Sequence, residues 1–271
     1  MNKLVKNLIY ITAYGVLFTL LSLVAYIVIK GLPNLRLELF SPSYSSENMS
    51  LLPATITTLI ISLISLVISV PIGILSAIYL VEYSRKTGLV ALINITIDTL
   101  AGIPSIVYGL FGMIFFVSYL GLGFSILAGS LTLSIMILPL IIGTSKEALL
   151  AVPQSLREAS LALGANKVRT IAQVVMPAGL PGIFSGIILA LGRIFGESAA
   201  LIYTAGTVAH LPRSIFSSAR TLSVHMYALS SEGIHTDTAY ATALILMLVI
   251  LSINFLSKKF LEKILKEDDY E

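Results

Sequence analysis

Three ionisable side chains interrupt long apolar stretches of this sequence: Asp98, Arg193 and Glu197. A charged side chain at the centre of a bilayer costs about 2.5–3.5 kcal/mol on insertion scales, so each of them should face protein or a water-filled cavity. Ionisable side chains in such surroundings mark the pathways of ions and substrates. These three residues are therefore the first candidates for a functional site.

Arg193 and Glu197 are four residues apart, a spacing that brings two side chains together on one face of a helix. One interpretation is that the two charges neutralise each other and help the helices to assemble. The other is that Arg193 lines a pathway and contacts a passing anion, because a planar guanidinium suits bidentate contact with phosphate-like oxygens. Two interpretations of Asp98 are likewise open: it could line the pathway, or it could lie at the cytoplasmic edge of the membrane.

A second candidate is the charged stretch 153–177, which separates two apolar regions. Ser155 and Glu158 have the Ser-x-x-Glu form of a capping box, which predicts a helix that starts near Leu156. Gly164 is placed to end that helix in a left-handed conformation. The first part of the stretch is thus predicted to be a short helix with its own caps.

The second part of the same stretch carries its own signals. Asn166 can cap another helix, and Pro177 should stop it because proline lacks a backbone N–H. Two short helices at an angle would form a compact basic knob rather than a membrane span. An ordinary solvated loop is the alternative, and a DNA-binding helix-turn-helix fits poorly because membrane segments flank the knob.

The composition indicates the class of protein that must position these residues. The chain has 271 residues, of which 56% are hydrophobic and 11% charged, and its mean hydropathy is +0.96. Soluble domains carry about a quarter charged residues, so this composition indicates an integral membrane protein. The absence of cysteine excludes a disulfide framework and thiolate metal or redox sites.

Six apolar runs are long enough to cross a hydrocarbon core of roughly 30 Å as helices. They predict an all-α integral membrane protein with one transmembrane domain over residues 1–271. We expect the spans at about 8–29, 54–80, 90–118, 124–143, 182–203 and 238–257, and a cytoplasmic loop at about 144–181.

The distribution of positive charge orients these spans. With the N-terminus inside, the cytoplasmic side holds twelve of the 17 Lys and Arg residues and the outer side holds four, while Arg193 lies within a span. Cytoplasmic loops of membrane proteins carry an excess of Lys and Arg. We therefore expect a multi-pass protein of the cytoplasmic (inner) membrane, with both termini and the knob in the cytoplasm.

The knob resembles the EAA loop of bacterial ABC-importer permeases, which has Glu-Ala-Ala, three residues, Gly, nine residues and Ile-x-Leu-Pro. The matching residues here are Glu158, Ala159, Ser160, Gly164, Val174, Met176 and Pro177. Ser160 replaces the second Ala, and Val174 and Met176 replace Ile and Leu. The resemblance implies a type I ABC-importer permease fold, in which this coupling loop docks in a groove of a separate ATPase subunit.

Two further segments resemble phosphate-importer permeases. Residues 98–112, DTLAGIPSIVYGLFG, are similar to the third-span signature of that family, and residues 191–199, LGRIFGESA, to its Arg-x-x-Gly-Glu-(Thr/Ser)-Ala element. The short chain and residues 221–227, TLSVHMY, resemble the PstA-type subunit more than its PstC-type paralogue. The resemblance covers essentially the whole chain.

The resemblance implies that the chain forms half of the translocation pathway of an ATP-driven phosphate importer, near Arg193, Glu197 and Asp98. The implied partners are a paralogous PstC-type permease, two PstB-type ATP-binding subunits, an extracytoplasmic PstS-type phosphate-binding protein, phosphate and membrane lipid. Because the chain has no Gly-Lys-Ser/Thr triplet of a P-loop, ATP hydrolysis is expected in a partner. We expect no catalytic residue, metal, cofactor or nucleic acid.

Other functions stay open at this point. The chain could be an ABC permease for another oxyanion, such as sulfate or molybdate. It could also be an ion-gradient-driven secondary transporter that needs no ATPase. A membrane enzyme is a third alternative, although no convincing cluster of metal ligands or nucleophiles supports it.

The outer loop before the last span contains His210, His225 and His235. Their separations of 15 and 10 residues are not a metal-ligand spacing, so we expect scattered surface histidines. Arg213 and Arg220 in the same loop have two open interpretations. They could attract anions or contact an external binding protein, or they could be plain loop charges.

Overall fold

The computed structural model of the chain describes residues 3–84, 88–233 and 235–268. Its α-helices are α1 (Lys3–Gly31), α2 (Leu52–Ile78), α3 (Gly88–Ala101), α4 (Ser105–Gly112), α5 (Ile126–Ala151), α6 (Gln154–Ala162), α7 (Lys167–Thr170), α8 (Met176–Gly196), α9 (Ala199–Ile202), α10 (Leu222–Glu232) and α11 (Thr236–Asp268). Short 3-10 helices lie at Leu32–Asn34 and Leu37–Phe40, and π-helical segments at Tyr79–Tyr83, Met113–Tyr119 and Ile171–Val175. The expected all-helical membrane fold is confirmed, with five helices that could each cross a membrane and a bent pair that could supply a sixth span.

Part of the positive charge counted on the cytoplasmic side is not described. Arg85 and Lys86 lie outside the described residues. The side chains of Lys3, Lys263 and Lys266 lie outside them as well.

Helix α5 lies at the centre of the fold, between α2 and α8. Ile61 of α2, Leu133 and Ile137 of α5 and Ile194 of α8 are buried together in one apolar cluster. Serine side chains also link α2 to α5: the Ser65 hydroxyl donates to the Ser130 carbonyl at 3.1 Å. Such interhelical hydrogen bonds stabilise helix pairs in membranes because lipid offers polar groups no alternative partner.

Small residues bring α8 close to α5. A Cβ atom added at Gly182 would lie 2.5 Å from the Ala148 Cβ, and one added at Gly186 would lie 2.1 Å from the Thr144 Oγ1. Glycines at four-residue spacing allow this approach because they remove side-chain bulk from the contact. The end of the fifth apolar run nearer the cytoplasmic loop is therefore held tightly against the central helix.

The third span differs from the single helix expected over 90–118. The chain bends by 97° between Val90–Ala101 and Ser105–Tyr119. Pro104 is the residue before α4, and it has no N–H to continue the helix from α3. It also disfavours the helical conformation at Ile103. The segment expected as the third span is thus a broken helix rather than one continuous helix.

The loop between the fourth and fifth expected spans is shorter than the 144–181 that we expected for it. Helix α5 continues to Ala151, and a helical run that begins at Lys167 continues through α8. Only residues 152–166, which include α6, lie between these two long helices. The knob is therefore built directly onto the ends of α5 and α8.

Pro177 does not stop the helix, contrary to expectation. It lies in the first turn of α8, where the N–H that proline lacks is not needed for an α-helical bond. The preceding turn, Ile171–Val175, is π-helical, and the Met176 N–H bonds to the Ile171 carbonyl across it. This wider turn carries the helical run past the proline, so α7 and α8 form one continuous rod.

Candidate functional site

Helix α6, which carries the residues that resemble the EAA pattern, presents Glu158 and Ala159 on an exposed surface. It begins at Gln154, two residues earlier than expected, with Pro153 as its N-cap and no side-chain capping bond. The capping box predicted for Ser155 and Glu158 is therefore wrong. Pro153 starts the helix by fixing its own backbone, which leaves Ser155 inside the first turn.

The turn between α6 and α7 follows its sequence signals closely. Gly164 has φ +84°, a left-handed conformation that favours glycine. The Ala165 N–H bonds to the Ser160 carbonyl at 3.2 Å, the longer-range bond of a Schellman cap. The Asn166 Oδ1 accepts from the Arg169 N–H at 2.9 Å and caps α7. The predictions for Gly164 and Asn166 are confirmed.

Ser160 stands where the EAA pattern has alanine, and its hydroxyl has a partner. It lies 2.9 Å from the Thr170 Oγ1 at the end of α7. An alanine at this position could not make that hydrogen bond. The substitution therefore adds a polar link between the two helices of the knob.

Several apolar side chains of the knob are exposed. Leu163 is 90% exposed, and we call the exposed residues Leu156, Leu161, Leu163 and Val168 the docking patch. Leu156 and Leu163 line a shallow cavity of about 450 Å³ together with Ala159, Ser160 and Gly164, whereas Leu161 lines a separate cavity. Exposed apolar side chains on so small an element are typical of an interaction surface.

Arg193 lies in the last turn of α8 rather than in the middle of a span, and it is half-buried. Within the described part of the chain it forms no hydrogen bond or ion pair. A Cβ atom added at Gly192 or at Gly196 would have no neighbour within 4 Å. This end of α8 therefore presents an open face with an unpaired guanidinium, unlike the tightly packed Gly182 and Gly186.

Glu197 does not pair with Arg193, although the structure describes both side chains. Helix α8 ends at Gly196, so the expected span over 182–203 is too long and the i, i+4 geometry does not apply. The buried Glu197 carboxylate instead accepts the Ala200 N–H at 3.0 Å and so caps α9. The Ser223 hydroxyl donates to the Glu197 carbonyl, which holds its backbone out of the helix.

Asp98 and Arg193 are not brought into contact. Asp98 is exposed on α3 and makes no ion pair among the described residues. Tyr108 of α4 lies between the two regions. Its hydroxyl donates to the Leu100 carbonyl at 2.7 Å and lies within electrostatic range of Arg193. Sequence reasoning did not single out Tyr108, because no local pattern relates it to a residue 85 positions later.

The outer loops contain a buried polar cluster that differs from the expected surface residues. Arg220 is only 7% exposed, and its guanidinium carbon lies 4.7 Å from the centre of the Tyr44 ring. His225 is fully buried edge-on to the same ring. Neither ring nitrogen of His225 has a hydrogen-bond partner in the described part of the chain. The expectation of a surface His225 is therefore wrong, because Tyr44 from the first outer loop covers it.

Burial makes His225 a source of pH-dependent stability. Its pKa is lowered from 6.5 to about 3, chiefly by desolvation and further by the Arg220 charge, while the Met49 backbone acts in the opposite direction. Below about pH 6.5 the imidazole of His225 binds a proton in the unfolded chain but stays neutral in the folded chain. Between about pH 6.5 and about pH 3, each fall of one pH unit should therefore lower the free energy of unfolding by roughly 1.4 kcal/mol. We expect the midpoint of thermal unfolding to fall less steeply between about pH 7 and about pH 5 in His225→Gln than in the wild type. Equal slopes would show that His225 is not the titrating group.

A family model and several relatives match this chain. The model described as "Binding-protein-dependent transport system inner membrane component" matches residues 69–266. The chain is 31% identical to the "Probable ABC transporter permease protein YqgI" of Bacillus subtilis, over 95% of this chain and 94% of that protein. It is 33% identical to the "Phosphate transport system permease protein PstA" of Haemophilus influenzae, over 96% of this chain and 94% of that protein.

Solved structures match at the level of the fold. A bacterial alginate ABC transporter, solved with its alginate-bound periplasmic protein, gives a TM-score of 0.71 at 17% identity over 96% of this chain and 94% of that chain. The MetNI methionine ABC transporter in an inward-facing form gives 0.63 at 20% identity over 81% of this chain and 99% of that chain. Both are ABC importers, and the likeness concerns architecture.

Family membership decides between the classes left open by the sequence. An ion-gradient-driven carrier and a membrane enzyme are not supported, because permeases of this family work with a separate ATPase and a binding protein. The chain belongs to the binding-protein-dependent transport system inner membrane component family and is a multi-pass inner-membrane permease subunit of an ABC importer, not its catalytic component.

Proposed function

We propose that this permease is a PstA-type subunit of an importer of inorganic phosphate and forms half of its translocation pathway. The observation that carries the proposal is Arg193, which has no ion-pair partner among the described residues and is half-buried on the open glycine face of α8. A guanidinium in this setting can form charge-assisted bidentate hydrogen bonds with a tetrahedral oxyanion. The similarity to a phosphate permease at 33% identity over most of both chains supports the same substrate.

The other two candidate pathway residues have different roles in this proposal. Glu197 holds the end of α8 through α9 and Ser223, so it fixes where Arg193 stands. Asp98 lies exposed on α3, where a partner subunit or water in the pathway would face it. Arg193 is the group proposed to contact the anion directly.

The partner set follows from the same assignment. We propose a paralogous PstC-type permease as the other half of the pathway, two PstB-type ATPases in the cytoplasm and a PstS-type phosphate-binding protein outside. With both termini in the cytoplasm, the docking patch and the coupling residues Glu158, Ala159, Ser160, Gly164 and Pro177 face the ATPases. Closure of the ATPases on ATP would then push α6 and rock the helices, and phosphate released outside would pass Arg193.

Uptake competition tests the substrate. In proteoliposomes containing the whole complex and its binding protein, we expect excess unlabelled phosphate to abolish uptake of labelled phosphate. Sulfate and molybdate at the same excess should reduce the uptake of labelled phosphate by less than about twofold. A specific site rejects an anion whose protonation and charge do not match the hydrogen-bonding groups of that site. Inhibition by sulfate as strong as that by phosphate would overturn the phosphate assignment and favour a broader oxyanion permease.

A further inference from the structure

The cytoplasmic end of α2 contacts the coupling helix α6 through an ion pair. Helix α2 ends in the π-helical turn Tyr79–Tyr83, and the Glu82 carboxylate of that turn accepts from the Arg157 Nε at 3.0 Å. The two side chains are only 11% and 12% exposed. Arg157 directly precedes the coupling residue Glu158, so this pair joins the knob to a span that is distant in sequence.

The same guanidinium also binds the end of α5. Its Nη1 donates to the Val152 carbonyl at 2.6 Å, and its Nη2 donates to the Leu149 carbonyl at 2.7 Å. These carbonyls lie at the C-terminal end of α5, where the helix leaves acceptors unsatisfied and favours positive charge. One side chain of α6 therefore contacts both α2 and α5.

Lys167 attaches the start of the continuous α7–α8 rod to the same turn. Its Nζ donates to the Glu82 carbonyl and lies 4.7 Å from the centre of the Tyr83 ring. Both the backbone and the side chain of Glu82 are thus bound by cations of the knob. We call Glu82, Arg157 and Lys167 the latch.

The surroundings of the latch suit an element that moves. A cavity of about 580 Å³ lies beside it, lined by Val81, Glu82, Arg157 and Ile171 among others. The knob therefore meets the end of α2 in two ways: the polar side chains of the latch border open space, while Val81 and Val175 belong to a packed apolar cluster beside them. The two π-helical turns, Tyr79–Tyr83 and Ile171–Val175, border the same cavity, and π-turns are frequent at functional sites.

We propose that Glu82 is a positioning residue that transmits motion of the coupling helix to the second span. This inference rests on the proposed docking of an ATPase at α6. When the ATPases move α6, the chain itself pulls α5 and α8. Helix α2 packs against α5, and the latch adds a direct link from α6 to the cytoplasmic end of α2. The three spans that form the core of the fold then move as one body.

A static role predicts different behaviour from this coupling role. A purely structural ion pair lowers stability or assembly when it is removed, because it leaves a buried charge without its partner. A coupling residue instead lowers the transport obtained from each ATP hydrolysed. The ratio of uptake to ATP hydrolysis in the assembled complex separates the two roles.

The first test compares Glu82→Gln, Arg157→Lys and the double variant in proteoliposomes containing the whole complex. We expect each single variant to reduce phosphate uptake per ATP by about tenfold, and the double variant to lose little more because residues of one network are not additive. Glu82→Asp should recover part of the ratio. Glu147→Gln, an exposed carboxylate of α5, is the matched control and should keep the wild-type ratio.

The second test measures the motion directly. Because the chain contains no cysteine, spin labels attach to it only at Ser155→Cys on α6 and Leu75→Cys on α2, and the same complex without these two substitutions is the labelling control. In the wild-type background we expect the same distance distribution in the nucleotide-free and ATP-trapped complexes. In Glu82→Gln we expect the distribution to shift or broaden when ATP is trapped.

The outcomes distinguish the latch from the docking site. If Glu158→Lys uncouples the complex while Glu82→Gln keeps the wild-type ratio and distance, the latch is overturned and docking at α6 stands. If neither Glu158→Lys nor Glu82→Gln changes the ratio of uptake to ATP hydrolysis, both the docking proposal and the latch proposal are wrong. If Glu82→Gln lowers assembly alone, the pair is a static stabiliser.

Discussion

Glu158→Lys should leave the permease inserted and assembled with its partners while phosphate uptake falls by at least about tenfold. Glu158 is exposed on α6, so the reversal of its charge leaves no buried group without a partner, and surface changes of this kind usually alter folding free energy by less than about 0.5 kcal/mol. The introduced lysine joins Arg157, Lys167 and Arg169 on a small helical knob. A surface complementary to the wild-type knob would then meet an added positive charge at its centre, and like-charge contacts disfavour a docked complex.

The measurement is ATP hydrolysis and phosphate uptake on the same preparation, together with co-purification of the ATPase. We expect hydrolysis to continue or to lose its dependence on the loaded binding protein, while uptake is lost. Glu147→Lys is the matched charge reversal on an exposed residue of α5 and should behave as wild type. Wild-type uptake in Glu158→Lys would contradict the proposal that this residue docks with the ATPase.

Local signals in the sequence predicted local structure well. Gly164 adopts the left-handed conformation and Asn166 caps α7, as expected. Both features depend on hydrogen bonds between residues at most five positions apart, so a short window contains all the interacting groups. The membrane class was equally accessible because it depends on composition. The capping box expected at Ser155 and Glu158 failed although it is local, because Pro153 begins α6 two residues earlier.

Two other failed predictions depend on distant residues. The expected Arg193–Glu197 pair assumed a helix that continues, but Ser223, 26 residues beyond Glu197, binds the Glu197 carbonyl outside it. His225 looked like a loop residue because the ring that covers it, Tyr44, is 181 residues away in sequence. The latch joins residues 75 positions apart, and no periodicity relates them.

Pro104 and Pro177 affect their helices differently from what their residue type alone suggests. Pro104 lies within the span expected over 90–118, yet it accompanies a bend of 97°. Pro177 looked like a stop, yet the helix passes it through a π-helical turn. The two sites differ in whether the turn before the proline can rearrange its hydrogen bonds. The residue type alone does not show this.

Arg193→Gln should reduce phosphate uptake by at least about tenfold with little change in assembly, since a hydrogen bond to a charged group contributes about 1.5–3 kcal/mol. The guanidinium has no intramolecular partner among the described residues, so its removal leaves no buried carboxylate unpaired. Assembly should therefore be retained, in contrast to the loss that breaking a buried ion pair would cause. A neutral glutamine also loses the electrostatic attraction that favours an anion on the pathway.

Two companion variants separate charge from geometry and from folding. Arg193→Lys keeps the charge without the planar fork, so it should lie between Arg193→Gln and the wild type if bidentate contact with the oxyanion matters. Glu197→Gln keeps an oxygen that can accept the Ala200 N–H and so hold Arg193 in place, and uptake per complex should therefore fall much less than in Arg193→Gln. The measurements are initial uptake rates per assembled complex and the yield of co-purified partners. If Arg193→Gln lost assembly before uptake, Arg193 would have a structural role in the assembled complex, and that role would replace the pathway proposal.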